Sequence, residues 1–252
     1  MRLDNKVAVV TGAASGMGKA IAVLFAQEGA KVVVADIHLE AADTVVSDIR
    51  SNGGEAVAVK TNVADESDIR NLIDSTVKTY GTVDILVNNA GIMDNFEPAG
   101  DIVDESWERV LAVNTTSVMR ATRKVLPIFL EKQKGVIINV ASVGGLCGAR
   151  AGAAYTASKH AVIGFTKNTG FMYAAKGIRC NAIAPGGVET NIGSTMTHIN
   201  PFGMERTQPG MALNPRMGKP EEIAQLALFL ASEEASFVNG AVITADGGWT
   251  AY

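Results

Sequence analysis

Cysteine and histidine are scarce in this sequence of 252 residues. Its two cysteines, Cys147 and Cys180, do not form a CxxC pair, so neither a disulfide framework nor a zinc site is expected. Its three histidines, His38, His160 and His198, are scattered and do not have the spacing of metal ligands. We therefore expect no metal, and a reducing cytoplasm is the default compartment.

Long apolar runs and basic segments are also missing. The longest apolar stretches, such as residues 20–26, are too short to cross a bilayer, and the first residues, MRLDNKVAVVTG, lack the apolar core and cleavage site of a secretory signal. The sequence has 22 Lys and Arg residues against 26 Asp and Glu residues, and a mildly acidic chain without a basic run is poorly suited to holding phosphate backbones. We therefore expect no membrane and no nucleic acid among its partners.

Short apolar runs alternate with longer helical patterns along the whole chain. The apolar runs predict strands at 6–12, 31–36, 56–60, 84–91, 135–142, 177–186 and 241–246. The helical patterns lie near 17–28, 39–51, 66–79, 104–113, 115–133, 153–175 and 220–231. Near-continuous apolar strands that alternate with helices indicate right-handed βαβ units whose sheet is buried on both faces. The sequence therefore predicts an α/β protein with one single-domain doubly wound Rossmann fold over residues 1–252, built on a mostly parallel seven-stranded sheet with helices on both faces.

The segment from Thr190 to Arg216 differs from the rest of the chain. It is rich in Gly, Asn, Pro, Thr and Met and has no clear periodicity. Because a connection of this length in a compact domain is usually functional, we expect a mobile lid without rigid elements that covers the substrate and sets its size. Packing at a subunit interface is the alternative explanation.

A glycine-rich turn follows the first predicted strand. In TGAASGMG, Gly12, Gly16 and Gly18 allow backbone N–H groups to approach an anion closely, beside the positive end of a helix dipole. Asp36 ends the second strand, where a carboxylate can bind the ribose hydroxyls of adenosine and repel a 2′-phosphate. The pattern predicts a dinucleotide site that prefers NAD to NADP. A plain strand-to-helix turn, with Asp36 as a helix cap, is the alternative.

A candidate acid–base pair lies in the predicted helix at 153–175. Tyr155 and Lys159 are four positions apart, so their side chains share a helix face, and a nearby ammonium group favours the phenolate form of a tyrosine. Ser142 ends a predicted strand, where it could donate a hydrogen bond to a substrate oxygen, and Asn114 follows a helical turn. Taken singly, Tyr155 with Lys159 is better explained as a surface pair and Ser142 as a strand-end cap. Asn114 could equally be a polar residue that satisfies backbone groups.

These motifs occur together and in a fixed order. TGAASGMG (11–18) is followed by NNAG (88–91), Asn114, Ser142, Tyr155-x-x-x-Lys159, PG (185–186) and DGGW (246–249). The ordered set resembles the short-chain dehydrogenase/reductase family over nearly the whole chain. That resemblance implies that Tyr155 is the general acid–base group and that Lys159 binds the nicotinamide ribose and lowers the pKa of Tyr155. It also implies that Ser142 orients the substrate oxygen and that Asn114 holds a water in a proton relay toward Lys159.

The resemblance further implies which residues surround an NAD cofactor. They are Gly12, Ser15, Gly16, Met17, Gly18, Asp36, Asn62, Val63, Asn89, Ala90, Gly91, Tyr155, Lys159, Pro185, Gly186, Val188 and Thr190. Among them, Thr190 would bond the nicotinamide carboxamide. The family usually has an Asp-Val pair against the adenine, whereas this chain has Asn62-Val63, whose amide still offers an acceptor and a donor.

The function that follows is hydride transfer between NAD(H) and a carbonyl or secondary alcohol. Uncharged substrates are favoured, namely a small ketone, diketone, sugar or polyol, because Arg150 is the only nearby candidate for binding a phosphate or carboxylate. The resemblance implies a homotetramer. The alternative among enzymes is a 3-oxoacyl-carrier-protein reductase, which needs a basic surface for its acidic carrier protein. A basic cluster could supply that surface, or it could simply form a solvated helix face. Its members are Arg120, Arg123, Lys124, Lys132 and Lys134. The alternative outside enzymes is a catalytically silent nucleotide-binding scaffold.

Overall fold

The computed structural model describes residues 1–251, in which strands and helices alternate. The strands are β1 (Val7–Thr11), β2 (Lys31–Asp36), β3 (Glu55–Lys60), β4 (Ile85–Asn88), β5 (Gly135–Val140), β6 (Ile178–Pro185) and β7 (Val242–Ala245). The α-helices are α1 (Gly16–Gln27), α2 (Leu39–Ser51), α3 (Glu66–Tyr80), α4 (Asp104–Leu111), α5 (Ser117–Lys132), α6 (Ala153–Tyr173), α7 (Pro201–Met211) and α8 (Pro220–Ala231). In this described part of the chain, no helix has the length and apolar character needed to cross a membrane.

The strands of residues 1–251 form one sheet in the order β3-β2-β1-β4-β5-β6-β7. Every neighbouring pair is parallel, so the predicted doubly wound fold is confirmed, and the sheet is all-parallel rather than mostly parallel. The chain moves outward from β1 to β3 and then returns to place β4 on the other side of β1. This reversal leaves a crevice at the carboxyl ends of β1 and β4, which is where ligands bind in open α/β sheets.

Side chains of the strands alternate between two apolar layers, one on each face of the sheet. On one face, Val10 packs in a cluster with Phe25 of α1 and Leu228 of α8. On the other face, Val9 belongs to a cluster with Phe129 of α5. Burying each such side chain contributes about 1.5–3 kcal/mol, so the helices are held firmly against both faces. The residues at the strand ends are therefore the ones available for binding and catalysis.

Strands β4 and β5 end two or more residues earlier than predicted, which places important residues in loops. β4 ends at Asn88 and β5 at Val140, so Asn89 and Ser142 lie beyond their strands. Between α4 and α5, residues Ala112–Thr116 form a π-helical turn that contains Asn114. Single π-helical turns are rare and are frequently found at functional sites.

The segment 190–216 contains regular structure, so the prediction that it lacks rigid elements is wrong. It includes a 3-10 helix (Ile192–Thr195) and α7. Pro201 opens α7, and the Asn200 side chain accepts a hydrogen bond of 2.9 Å from the Gly203 N–H. Asn as the cap and Pro at the first position both favour a helix start, which offsets the poor helix propensity of the residues that follow.

Candidate active site

The turn between β1 and α1 has the backbone shape that an anion site needs. Gly12 and Gly16 have φ angles of +64° and +51°, in the left-handed region that favours glycine. A Cβ atom on Gly12 would lie 2.9 Å from Ala90 Cα, and one on Gly18 would lie 2.1 Å from the Gly12 carbonyl oxygen. Side chains are therefore excluded here, and α1 begins at Gly16 with the unpaired N–H groups of its first turn.

The loop after β4 supports this glycine turn. Asn89 Nδ2 donates to the carbonyl oxygens of Thr11 and Gly12 at 2.9 and 3.1 Å, and the Thr11 hydroxyl accepts from the N–H groups of Asn89 and Ala90. The Asn89 Oδ1 atom is buried and has no hydrogen-bond partner among the described residues. Such an acceptor calls for a bound group. Thr11 is not among the predicted site residues, although its position directly before the glycine turn is a signal for it.

Asp36 lies at the end of β2, beside the glycine turn. Its carboxylate accepts hydrogen bonds of 3.0 Å from the N–H groups of Ala14 and His38. It therefore stabilises both the glycine turn and the chain that leads into α2, whose cap position is His38 and not Asp36. Its neighbour Ile37 is 50% exposed and carries no charge.

A cavity of about 320 Å³ joins these features. It is lined by eleven of the predicted cofactor residues, namely Gly12, Ser15, Gly16, Met17, Asp36, Asn62, Val63, Asn89, Ala90, Gly91 and Thr190. The other six predicted residues lie outside the described lining, namely Gly18, Tyr155, Lys159, Pro185, Gly186 and Val188. The glycine cradle, the unpartnered Asn89 oxygen and the Asp36 carboxylate fit a dinucleotide. No Lys or Arg of the described residues lines this cavity.

The chain after β6 passes over the glycine turn. A Cβ atom on Gly16 would lie 3.1 Å from Thr190 Cγ2, and the Ser15 hydroxyl donates to Asn191 Oδ1 at 3.1 Å. Asn191, which is not among the predicted site residues, therefore connects the phosphate-binding turn with the segment that covers it.

The catalytic candidates come together where α6 meets the end of β5. Tyr155 is 7% exposed, and its ring and the Ser142 hydroxyl meet at Gly144, where an added Cβ atom would lie 3.2 Å from Tyr155 Cε1 and 3.4 Å from Ser142 Oγ. Ser142 Oγ also accepts from the Gly144 N–H at 2.9 Å, so it caps the short 3-10 helix Val143–Gly145 as well. These close approaches explain a glycine at position 144.

Lys159 and Asn114 both approach Gly91. The Lys159 ammonium lies 5.6 Å from the centre of the Tyr155 ring and donates to the Val140 carbonyl at 2.9 Å. Asn114 exchanges two hydrogen bonds of 2.9 Å with the backbone of Ile92. A Cβ atom on Gly91 would lie 3.4 Å from Lys159 Nζ and 3.5 Å from Asn114 Oδ1. The arrangement brings the four predicted catalytic residues together, with Lys159 and Asn114 next to Gly91 of the cavity lining, while the water relay through Asn114 stays a prediction.

Burial controls the protonation of the two titratable catalytic residues. It raises the pKa of the Tyr155 phenol above its usual value, against the hydrogen bond from Ser142, and the carboxylate of Asp94 adds to the increase. This net direction is the opposite of the lowering that the sequence analysis expects from Lys159. Burial lowers the pKa of Lys159 itself to about 8. The protein alone therefore presents Tyr155 as a proton donor at neutral pH.

The cationic side chains that the sequence offers for binding a substrate or an acidic carrier are already engaged with other groups. The Arg150 guanidinium lies 4.3 Å from the centre of the Trp249 ring, whose Nε1 donates to the Gly210 carbonyl in α7 at 2.8 Å. Each member of the basic cluster also has an acidic partner within ion-pair distance: Arg120 and Arg123 with Glu66, Lys124 with Asp74, Lys132 with Asp84, and Lys134 with Glu233. In residues 1–251, no cluster of three or more His, Cys, Asp or Glu side chains could hold a metal ion.

Comparison with known proteins agrees with this geometry. A family model described as enoyl-(acyl carrier protein) reductase matches residues 12–250. The chain is 48% identical to 3beta-hydroxysteroid dehydrogenase 2 of Eggerthella lenta, over 99% of this chain and 96% of the relative. It is 39% identical to cyclohexanol dehydrogenase of Acinetobacter sp., again over 99% of this chain and 96% of the relative. It is 42% identical to a 3-oxoacyl-(acyl-carrier-protein) reductase of Thermotoga maritima, over 98% of this chain and 99% of the relative.

The chain belongs to the short-chain dehydrogenase/reductase family. The predicted family is thereby confirmed, and with it an oxidoreductase that acts at a CH–OH or carbonyl carbon. The family uses NAD or NADP as its cofactor.

Proposed function

We propose that this protein is an NAD(H)-dependent oxidoreductase of uncharged ketones and the corresponding secondary alcohols, with the carbonyl on a saturated ring as the preferred substrate. The observation that carries the proposal is the contact between Ser142 and the buried phenol of Tyr155, next to a dinucleotide cavity that contains the Asp36 carboxylate.

The roles of the side chains follow from this placement. In carbonyl reduction, Tyr155 donates its proton to the substrate oxygen while Ser142 donates a hydrogen bond to the same oxygen. In alcohol oxidation, the phenolate accepts that proton. Lys159 binds the nicotinamide ribose, and Asn114, fixed to the backbone of Ile92, holds a water that connects Lys159 to solvent. The nicotinamide supplies or accepts the hydride when it is bound.

The choice of NAD over NADP rests on the charge at the adenosine end of the cavity. A 2′-phosphate would meet the Asp36 carboxylate, and the described lining offers no Lys or Arg to compensate. Ile37, the next residue, is apolar and exposed. The residues that would hold the cofactor are those that line the cavity, with Pro185, Gly186 and Val188 beside the nicotinamide.

An uncharged ring ketone is supported by the relatives and by the engaged cations. A hydroxysteroid dehydrogenase and a cyclohexanol dehydrogenase both act, by name, on a secondary alcohol carried by a six-membered ring. Arg150 stacks on Trp249 and is therefore poorly placed to bind a substrate carboxylate or phosphate. Small diketones, sugars and polyols share the same uncharged CH–OH chemistry and remain within the proposal.

A 3-oxoacyl-carrier-protein reductase is the second candidate, and the Thermotoga maritima relative favours it. Two observations weigh against it. Each side chain of the basic cluster is in an ion pair, and Asp36 disfavours NADPH. A catalytically silent scaffold is a third candidate, and the retention of all four catalytic residues weighs against that one.

The quaternary structure and compartment complete the proposal. We infer a cytoplasmic homotetramer from the family and from the two reduced cysteines. The strongly exposed Phe171 and Phe237 support the association of subunits, because large apolar side chains at the surface are typical of interfaces.

The test is a substrate panel monitored by absorbance at 340 nm. NADH and NADPH are each combined with cyclohexanone, a 3-ketosteroid and an acetoacetyl carrier-protein thioester. We expect the ring ketones with NADH to give the highest kcat/KM. A preference for the thioester would favour the carrier-protein reductase, and a complete lack of turnover with intact NADH binding would favour the scaffold.

A further inference from the structure

Asp94 is a fully buried carboxylate for which the proposed reaction has no use. Its side chain is 0% exposed, and no Lys, Arg or His nitrogen of residues 1–251 forms an ion pair with it. It accepts three backbone hydrogen bonds instead: Oδ1 from Phe96 and Gly152 at 3.1 and 2.9 Å, and Oδ2 from Tyr155 at 2.9 Å. Burying an unpaired charge is costly unless such bonds compensate, so this arrangement needs an explanation.

Two of these bonds fix the first turn of the catalytic helix α6. Gly152 is the residue before the helix, and Tyr155 is its third residue. The N–H groups of a first turn have no partner within the helix, and a negative charge beside them is favourable. The contact is tight, because a Cβ atom on Gly152 would lie 2.6 Å from Asp94 Oδ2. Asp94 therefore determines where the backbone of Tyr155 lies, and with it the phenol.

The residues on either side of Asp94 hold the segment 190–216. The Met93 N–H donates to Thr195 Oγ1 at 3.0 Å. The Asn95 side chain accepts from the Thr197 N–H at 2.9 Å, and the Asn95 carbonyl accepts from the Asn200 N–H at 2.8 Å. Asn95 is itself buried.

Phe96 adds evidence that this short segment is held from both sides. It is buried and has a φ angle of +59°, which is unusual for a residue with a side chain. Its carbonyl packs against α7, since a Cβ atom on Gly203 would lie 1.8 Å from Phe96 O. Strained backbone of this kind persists only where its surroundings fix it, and it is concentrated at functional sites.

We propose that Asp94 and Asn95 form a link between the segment 190–216 and Tyr155: Asn95 holds the lid, and Asp94 transmits its position to the first turn of α6. Both are positioning residues. The expected effect on kcat rests on the proposed role of Tyr155. The structural link between the lid and α6 does not depend on the substrate.

Three variants test the link. Asp94→Asn keeps the size of the side chain but replaces one acceptor oxygen with an NH₂ group, so one backbone N–H loses its partner. Asn95→Ala removes the acceptor for Thr197. Asp104→Asn is the matched control, because it makes the same change at an exposed position in the following helix α4. Circular dichroism and thermal melting establish that each variant is folded.

Hydrogen exchange measures the mechanical part. In Asn95→Ala, we expect faster exchange both in residues 195–200 and in the first turn of α6. In Asp94→Asn, we expect faster exchange in the first turn of α6 and in residues 195–200. If each variant loosens only its own side, or neither side, the link does not exist. This measurement needs no substrate, so it remains decisive if no ketone is turned over by the wild-type protein.

Kinetics measures the functional part. In Asp94→Asn, kcat should fall by about 10²-fold with the Kd for NADH unchanged, because small displacements of a reacting group are that costly. The charged groups that face the phenol are Lys159 on α6 and Asp94. Loss of the Asp94 charge should therefore move the pH profile of alcohol oxidation to lower pH, whereas a merely structural defect would reduce activity without moving it. An unmoved profile with wild-type kcat would overturn the positioning role.

Discussion

At the scale of single residues, the proposed chemistry depends most on the Tyr155 hydroxyl. Replacing Tyr155 with Phe keeps the buried ring and removes the proton that the substrate oxygen receives. We expect kcat to fall by at least about 10²–10⁴-fold, the usual contribution of a general acid–base group. NADH binding, measured by fluorescence titration, should be preserved. Tyr173→Phe is the matched control, since Tyr173 packs against the apolar cluster that contains Phe129 and does not line the cavity. Near-normal turnover in Tyr155→Phe would rule out the assigned role.

The second prediction at this scale concerns the cofactor. The Asp36 carboxylate accepts hydrogen bonds from Ala14 and His38, so truncation to Ala would disturb the glycine turn as well as the charge. Asp36→Asn combined with Ile37→Arg removes the negative charge, keeps an acceptor and adds a cation. We expect the ratio of kcat/KM for NAD to that for NADP to fall by a factor of about 10–100, as removal of one charge-assisted interaction implies. A wild-type preference for NADPH would contradict the proposal directly.

Residues with special backbone or chemical demands could be predicted from the sequence, and others could not. Gly12 and Gly16 have positive φ angles, and few residue types other than glycine adopt them readily. Tyr155, Lys159, Ser142 and Asn114 were recognisable as an ordered set. Asp94 was not, because a buried carboxylate that accepts only backbone N–H groups has the same sequence appearance as any surface aspartate.

At the scale of secondary-structure elements, apolar periodicity identified the strands but missed α7. A sheet that is buried on both faces requires apolar side chains along its strands, so the strands have a clear sequence pattern. α7 lies at the surface with Phe202 and Met211 partly exposed, and it contains Gly203 and Pro209, so neither periodicity nor propensity indicates a helix. The Asn200-Pro201 pair at its start was the available signal. The π-helical turn around Asn114 has no comparable signal, since tertiary contacts with Ile92 determine it.

The third prediction concerns the lid, which stays a proposal although it contains helices. The segment 190–216 touches the glycine turn through Ser15 and Asn191 and the C-terminal region through Gly210 and Trp249. Closure over bound ligand would exclude water from the Tyr155 phenol. We therefore expect hydrogen exchange in residues 190–216 to slow when NAD and a ketone are bound together, while α3, which packs against α5 and strands β1 to β3, serves as the control. Unchanged exchange in the lid would support the alternative that this segment is a static subunit contact.

At the scale of the whole molecule, the fold places a lysine in a position that costs stability. Lys159 is held between α6 and the end of β5, and burial lowers its pKa from 10.5 to about 8. Its ammonium group donates one hydrogen bond, to the Val140 carbonyl, which only partly replaces its hydration. The doubly wound sheet directs this side chain to the crevice where a cofactor ribose would lie. Burial of its charge there lowers the free energy of unfolding, but it places the ammonium group where it can bind the cofactor.

The fourth prediction follows from that pKa. Between pH 8 and pH 10.5, the unfolded chain binds more protons at Lys159 than the folded chain, so the free energy of unfolding rises with pH through this window. The full rise is on the order of 3 kcal/mol, at about 1.4 kcal/mol per pK unit. The Lys159→Met variant has no ammonium group at this position, so its free energy of unfolding does not show this rise. The variant should be inactive, yet more stable than the wild type at pH 7, and its advantage should shrink toward pH 10.

Urea unfolding of both proteins at pH 7, 8, 9 and 10 measures this difference. The comparison between the two proteins matters, because other groups also titrate in this range. Burial raises the pKa of Cys180 to about 12, so that group lowers the stability of both proteins above pH 9 and cancels in the difference. An equal pH dependence in both proteins would mean that Lys159 is as well solvated in the folded state as in the unfolded chain. A shrinking difference would show that burial of the Lys159 ammonium group beside Tyr155 lowers the free energy of unfolding of the wild-type protein.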